Sequence, residues 1–193
     1  MRIDDDDIAE ELGAAIRLGT VAEVDLSAAR IVVDTGDLQT SAIRWIENRA
    51  GATRSWSPPS VGEQVVLLCQ GGEIAGAVAL RGLGQDAFPP PGDSLRELVS
   101  FSDGAVLAYD PEAHALEALL PAGATVTIVA RGGVSIDVGD AAVAIRGNVS
   151  IDGDLSLTGD ATIDGDAVAG GVSLQHHRHA GVQPGGGQTG EPS

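Results

Sequence analysis

The sequence predicts an all-β chain, in which a small Greek-key barrel is followed by an intertwined triple-stranded β-prism. Three observations lead there. Glycine recurs at 147, 153, 159, 165 and 171 without a slip, with apolar and polar residues alternating in between. Residues 18–88 break into short β-rich runs separated by turn signals. The composition also suits thin β-structure better than a large packed globule: hydrophobic residues are 43%, aromatics only 3%, and there are 27 glycines in 193 residues.

The chain divides into five stretches. Residues 1–17 open with Asp4-Asp-Asp-Asp7, and Ile8, Leu12 and Ile16 then fall at i, i+4, i+8. That spacing makes a narrow apolar stripe on a helix, and acidic residues at its start suit the positive end of the helix dipole. Gly19 follows and is placed to end it. The segment reads either as a terminal helix or as a docking helix for a neighbour.

Residues 18–88 read as five strands, Leu18–Val24, Arg30–Asp34, Leu38–Ile46, Glu63–Gln70 and Glu73–Leu80. Thr35-Gly-Asp37 and Gln70-Gly-Gly72 are tight-turn signals, and Ser57-Pro-Pro-Ser60 interrupts the chain between strands. Five strands in about 70 residues with no long helix fit a barrel of the OB type. Cys69 ends the apolar run Val65-Val-Leu-Leu and reads as a small buried hydrophobe. Trp45 and Trp56 read as core or intersubunit packing rather than a ligand platform.

Residues 89–124 form a linker and neck. Pro89-Pro-Pro91 is extended and semi-rigid. Leu98–Ser102 and Ala105–Tyr109 flank Asp103-Gly104, a strong hairpin signal. Asp110–His114 then turns the chain into Ala115–Leu120, with His114 an exposed turn residue.

Residues 125–174 carry the repeat. Irregular precursors (Thr125–Ile128, Val134–Asp137, Val143–Arg146) lead into hexads whose third and fifth residues are apolar: Val149/Ile151, Leu155/Leu157, Ala161/Ile163 and Ala167/Ala169. Each unit is a short strand plus a Gly-Asx corner. Four or five hexads make little more than one coil of a single-chain solenoid, too few to bury an apolar face. Three copies wound together would bury Val149, Ile151, Leu155, Leu157 and Ile163 on the axis and leave Asp152, Asp154, Asp160, Asp164 and Asp166 in water. The core residues shrink toward Ala/Ala, so the expected prism narrows toward its C-terminal end.

Residues 175–193 hold Gln175-His-His-Arg-His179. On an extended strand His177 and His179 share a face, while His176 and Arg178 share the other. Two histidines do not complete a metal site, but on a threefold axis they become six imidazole nitrogens. Structural zinc prefers four tetrahedral ligands. Imidazole also suits nickel and copper, and octahedral all-histidine ligation favours Fe(II). The competing reading is a solvated histidine-rich terminus.

Charge excludes several functions. A net charge of −17 argues against nucleic acid and anionic membrane as primary partners. A single cysteine excludes an intrachain disulfide framework. Nothing reads as a signal peptide or a membrane span, so synthesis as a soluble cytoplasmic protein is expected. No nucleophile-elbow context surrounds any serine. Hexapeptide repeats also build acyltransferases, but those need several coils, and here the histidines lie beyond the repeat rather than beside a cleft. The expectation is a chain without catalytic residues.

The sequence resembles the phage baseplate assembly protein V family, the central membrane-piercing spike of contractile tails. The resemblance runs over nearly the whole chain, through Leu18-Gly-Thr-Val-Ala-Glu-Val24, Trp56-Ser-Pro-Pro-Ser-Val-Gly-Glu-Gln-Val65, Phe101-Ser-Asp-Gly-Ala-Val106 and Val172-Ser-Leu-Gln-His-His-Arg-His-Ala-Gly-Val-Gln-Pro-Gly-Gly-Gly-Gln-Thr-Gly190. The last of these is the most specific. The resemblance implies a homotrimer with an N-terminal OB domain, a triple-stranded β-helix and a sharp apex. There a His-x-His pair from each chain binds one iron ion per trimer, with zinc or nickel less fitting. The pair corresponds to His177 and His179, while His176 stands where the family has a non-ligand residue, and Ala180 replaces a common glycine. It further implies a place in the virion's tail baseplate, tail tube and hub proteins as partners, and transient contact with the bacterial envelope. A tailocin or another contractile injection system is the alternative setting.

Overall fold

The computed structural model describes residues 13–181 and 185–186. It divides into two units, one ending at Val129 and the other starting at Ala130. The first unit holds two sheets.

The larger sheet comprises β1 (Ile16–Asp25), β2 (Arg30–Asp34), β3 (Arg44–Trp45), β4 (Gln64–Leu68) and β5 (Val78–Leu80). β1 pairs antiparallel with both β2 and β4, β4 with β5, and β5 runs parallel to β3. The Ile31–Ile43 bridge, with main-chain bonds of 3.0 and 2.9 Å in the two directions, joins β2 to β3. The circuit β1-β2-β3-β5-β4-β1 is therefore closed, the Greek-key barrel expected from the turn spacing. Closure matters because a barrel has no free edge strand.

Alternation puts one face of each strand inside. Val21, Ile31, Val33, Val65 and Leu67 are fully buried, joined by Ile43, Trp45, Cys69, Ala77 and Ala79. Cys69 is the buried small residue that its apolar run predicts. Gly19 is not a helix terminator. It sits buried in β1, where an added Cβ would collide with Val33 Cγ1 and lie 2.9 Å from the Asp34 carbonyl oxygen. Glycine is present to let β1 and β2 approach. The expected helix falls on residues outside those described up to Leu12, and Gly13–Ala15 are helical, but Ile16 opens β1 rather than continuing the stripe. Its pairing with Leu68 outweighs the helical spacing.

Two strand expectations are shortened. Leu38–Ile46 contracts to Arg44–Trp45, because the buried Thr40 hydroxyl accepts the Val33 N–H at 2.9 Å and takes the place of a ladder partner. Glu73–Leu80 contracts to Val78–Leu80. Gly71 and Gly72 both have positive φ, and Gln70–Gly72 and Ile74–Gly76 close into short 3₁₀ turns before the strand begins.

The smaller sheet is a meander, β6 (Glu97–Ser100), β7 (Val106–Asp110) and β8 (Ala115–Leu119). Its turns stand where Asp103-Gly104 and Asp110–His114 predict them. Gly104 and His114 take positive φ, and the Asp103 and Asp110 carboxylates accept main-chain N–H groups within their own turns. His114 is exposed.

The second unit behaves differently. Between Leu119 and Val168 no residue lies in a strand. From Thr125 to Asp166, among the described residues, two main-chain hydrogen bonds form, Gly133 to Ala130 and Ala141 to Val138, each closing a turn. The apolar residues of the hexads stand in solvent: Leu155 is 66% exposed, and Val149, Ile151, Leu157 and Ile163 are similar. The alternation of the repeat is present, but within one chain nothing pairs with its backbone or covers its apolar residues.

Candidate functional site

The C-terminal end of the repeat closes into a hairpin, β9 (Val168–Ala169) and β10 (Val172–Ser173). Gly171 is not a fifth hexad corner. Gly170 and Gly171, both at positive φ, form the two-residue turn between Ala169 and Val172. Two consecutive positive φ values are the requirement of a type I′ hairpin, which glycine meets without strain.

The hairpin is fastened to the repeat below it. Leu174 N–H donates to the Ala167 carbonyl at 2.9 Å. Asp166 accepts the Gln175 N–H at 3.1 Å, and the Gln175 amide donates to the Gly165 carbonyl at 2.9 Å. The Ser173 side chain and the main-chain N–H groups of Gln175, Leu174 and Ala167 hold the Asp166 carboxyl below its ordinary range.

The histidines follow at once. Leu174–His176 form a turn rather than the extended strand expected, because the Ser173 hydroxyl accepts the His176 N–H at 2.8 Å. His177 N–H donates to the Ser173 carbonyl at 3.2 Å. The His177 ring also turns back, with Nδ1 lying 2.9 Å from the Ser173 carbonyl and 3.2 Å from that of Leu174. Carbonyl oxygens only accept, so Nδ1 carries the proton, and in the neutral imidazole it is Nε2 that keeps a lone pair. The His177 and His179 rings meet edge to face, with centroids 5.1 Å apart. The turn therefore brings together the two histidines that alternation assigned to one face, and both are exposed.

This donor set suits a metal. A ligand imidazole usually donates its other N–H to a carbonyl or carboxylate, which orients the ring and raises its basicity. Among the described residues one copy holds no group of three or more metal-ligating side chains. Asp166, Ser173 and Gln175 escaped the sequence reading. Asp166 looks like every other Gly-Asp corner in the series, and only the hairpin distinguishes it.

A second constructed feature lies on the barrel. Trp45 is buried and Trp56 half-exposed, with ring centroids 5.4 Å apart. The Glu47 carboxylate beside them accepts the Trp45 indole N–H, the Ser57 N–H and the Ser55 hydroxyl at 2.8 Å each, and Arg81 lies 3.6 Å away. Partial burial raises the Glu47 carboxyl, but the Ser57, Trp45 and Ser55 donors and the Arg81 charge outweigh it and bring it down to about 2. Trp45 is core, as expected, and Trp56 is not.

Three family profiles match in succession. Residues 17–83 match the type VI secretion system/phage-baseplate injector OB domain, residues 97–169 the Gp138 beta helical trimerization domain, and residues 171–193 the GpV apex motif. A spike protein of Escherichia phage P2 is 43% identical over 111 residues, which is 57% of this chain and 53% of that protein. Over these residues the chain is similar to phage baseplate spike proteins. It spans about half the length of the curated relative it matches. The OB-domain match accords with the closed five-strand circuit, and the trimerization-domain match covers the stretch that finds no partner within one chain. The matched descriptions name a spike protein and an injector OB domain, which suits the reading of a chain without catalytic residues. Among the described residues no helix is long and apolar enough to cross a membrane.

Proposed function

We propose that this chain is the central spike of a contractile tail's baseplate, a homotrimer that caps the tail tube and pierces the target envelope when the sheath contracts. The observation carrying this reading is the stretch from Thr125 to Asp166, with its unpaired backbone and exposed Val, Ile and Leu side chains. Such a surface is a liability in a single chain and a core in three. Intertwining supplies strand partners on both edges and buries the apolar alternation. No chain then detaches without the others, which gives the stiffness a piercing element needs.

At the apex His177 and His179 of each chain would hold one Fe(II) through six nitrogens. The metal supplies a crosslink between chain ends, where fraying otherwise starts. The chain's own contribution is orientation: the Ser173 and Leu174 carbonyls fix the His177 tautomer, and Asp166 with Gln175 anchors the turn that carries both rings. Arg178 and His176 are left outside the ligand set. The partners in this reading are the tube and hub proteins, with only transient contact to the envelope, and the location is the virion tail.

The OB match is shared between phage baseplates and type VI secretion systems, which supports a second setting, a tailocin or related injection machine. Capsid genes beside the coding sequence mark a phage, and their absence marks the alternative.

Metal content measured against oligomer mass on untagged protein tests the proposal. One iron per trimer, lost in a His177→Ala/His179→Ala variant that stays trimeric, is the expected result. A metal-free trimer removes the apex site and keeps the spike. A monomer overturns the intertwined prism.

A further inference from the structure

All eleven Lys and Arg residues of the sequence are arginine, against 28 Asp and Glu. Four of the eleven, Arg30, Arg44, Arg49 and Arg54, line one open groove of about 510 Å³ on the barrel, floored by Trp45 and Trp56. In a chain of net charge −17 this is a local reversal of sign. It is not consumed by neighbouring carboxylates. Among the described residues the ion pairs are Arg81 with Glu47 and Arg96 with Glu117, and none of the four takes part. Glu47, the acidic group lining the groove, already accepts from Trp45, Ser55 and Ser57. Arg30 is turned toward the Ala28 and Ala29 carbonyls, while Arg44, Arg49 and Arg54 are exposed.

The chain contains a matching segment. Asp4, Asp5, Asp6 and Asp7, followed by Glu10 and Glu11, concentrate six carboxylates ahead of β1. The sheet register places the start of β1 near the groove. Ile16 pairs with Leu68, Leu68 with Val78, and Val78 with Arg44. Three strand steps of about 4.8 Å put Ile16 roughly 14 Å from Arg44 along the sheet. Asp7 precedes Ile16 by nine residues, a reach of about 14 Å as a helix and up to about 30 Å extended. Either conformation spans the distance.

We propose that the Arg44–Arg49–Arg54 groove is the docking site of the acidic segment Asp4–Asp7, and that docking covers the exposed face of Trp56. The pairing is electrostatic. Guanidinium groups engage carboxylates in bidentate fashion, and a segment repelled by the rest of an acidic molecule finds its attractive surface here. Docking would anchor the N-terminal segment to the barrel, and this inference stands on the barrel alone, apart from any metal at the apex.

The two tryptophans of the chain are the pair in this groove, so intrinsic fluorescence reports on it directly. The test compares the full-length protein with a variant carrying Asn at positions 4 to 7 in acrylamide quenching of tryptophan emission. At low salt the native protein is expected to be quenched at least about twofold less. The difference should disappear near 0.5 M salt, where screening shortens electrostatic reach to about 4 Å. A peptide of residues 1–12 added to the Asn variant should restore protection, but not when Arg49→Ser and Arg54→Ser are also present. Thermal unfolding of each variant checks that the barrel is intact. Equal quenching of native and Asn proteins at low salt overturns the proposal, as does peptide protection that survives loss of Arg49 and Arg54. Protection by oligothymidylate and not by the peptide also overturns it, and assigns the groove to single-stranded nucleic acid instead.

Discussion

The ring nitrogen Nδ1 of His177 donates to the main-chain carbonyl of Ser173 at 2.9 Å. The residue that accepts this bond also takes the His176 N–H on its hydroxyl and is the last residue of the hairpin. One residue thus sets both the direction of the turn and the tautomer of the imidazole. Among the described residues His176, adjacent in sequence, has no such support for its ring. In the iron site proposed above, removing His177 is expected to lower metal occupancy at least about tenfold, while His176→Ala leaves it within twofold. Metal analysis of purified trimers distinguishes the two.

Asp166 acts on the same site from a distance. Its carboxylate holds the Gln175 N–H, and Asn in its place keeps the size while weakening the acceptor. Asp166→Asn is expected to lower metal affinity about tenfold, as loss of an outer support typically does, with the trimer mass unchanged. A chelator competition series on the two proteins measures this.

The exposed alternation of the hexads makes a prediction about assembly. Ile151 and Leu157 are more than half exposed in one chain and become core residues in the proposed trimer. Ile151→Asp with Leu157→Asp would bury six uncompensated carboxylates per trimer, a cost far above the stability of a domain. Light scattering should report a monomer, while the near-ultraviolet dichroism of Trp45 and Trp56 stays native, because the barrel closes on itself.

Within the barrel, size and fit decide stability. Leu67 is fully buried, and Leu67→Ala is expected to cost about 2–5 kcal/mol. Gly19→Ala adds one methyl group where Val33 and the Asp34 carbonyl already stand, and is expected to cost about 1–3 kcal/mol. Denaturant unfolding followed by tryptophan emission gives both values.

Glu47 gives the barrel an acid limit. Its folded carboxyl lies at about 2, below the ordinary 4.5. A depressed carboxylate adds stability above its unfolded value and loses it as pH falls through the folded one. The contribution is whole above pH 5 and fades between about pH 4.5 and 2. Part of it is screened by solvent, so Glu47→Gln is expected to cost on the order of 2 kcal/mol at pH 7, shrinking toward pH 2. Unfolding midpoints measured along a pH series show whether the gap closes.

Much of this was legible in residues alone, for reasons specific to each element. Asp103-Gly104 and Asp110–His114 place their turns because the preference is local, lying in positive φ and short carboxylate-to-amide bonds. The alternation through Val65–Cys69 places a buried strand because period two admits one inside face. Gly19 and Ile16 were misread as parts of a helix end, because the contacts that override helical spacing, with Val33 and Leu68, come from other strands, 14 and 52 residues further along the chain. Glu73–Leu80 was read too long, because Gln70-Gly-Gly72 resembles a hairpin signal, whereas Gln70–Gly72 and Ile74–Gly76 form 3₁₀ turns ahead of the strand.

The sequence by itself determined the all-β class, the barrel and the six-residue period, and singled out His177 and His179 as candidates, since each is written in local spacing and side-chain type. Tertiary structure alone decided that β3 and β5 run parallel to complete the circuit, that Trp56 stands out beside four arginines, and that Ser173 and Asp166 orient the histidine turn. These depend on residues distant in the chain, or on one aspartate among many alike, meeting at specific atoms. Only the folded backbone brings them within hydrogen-bond range.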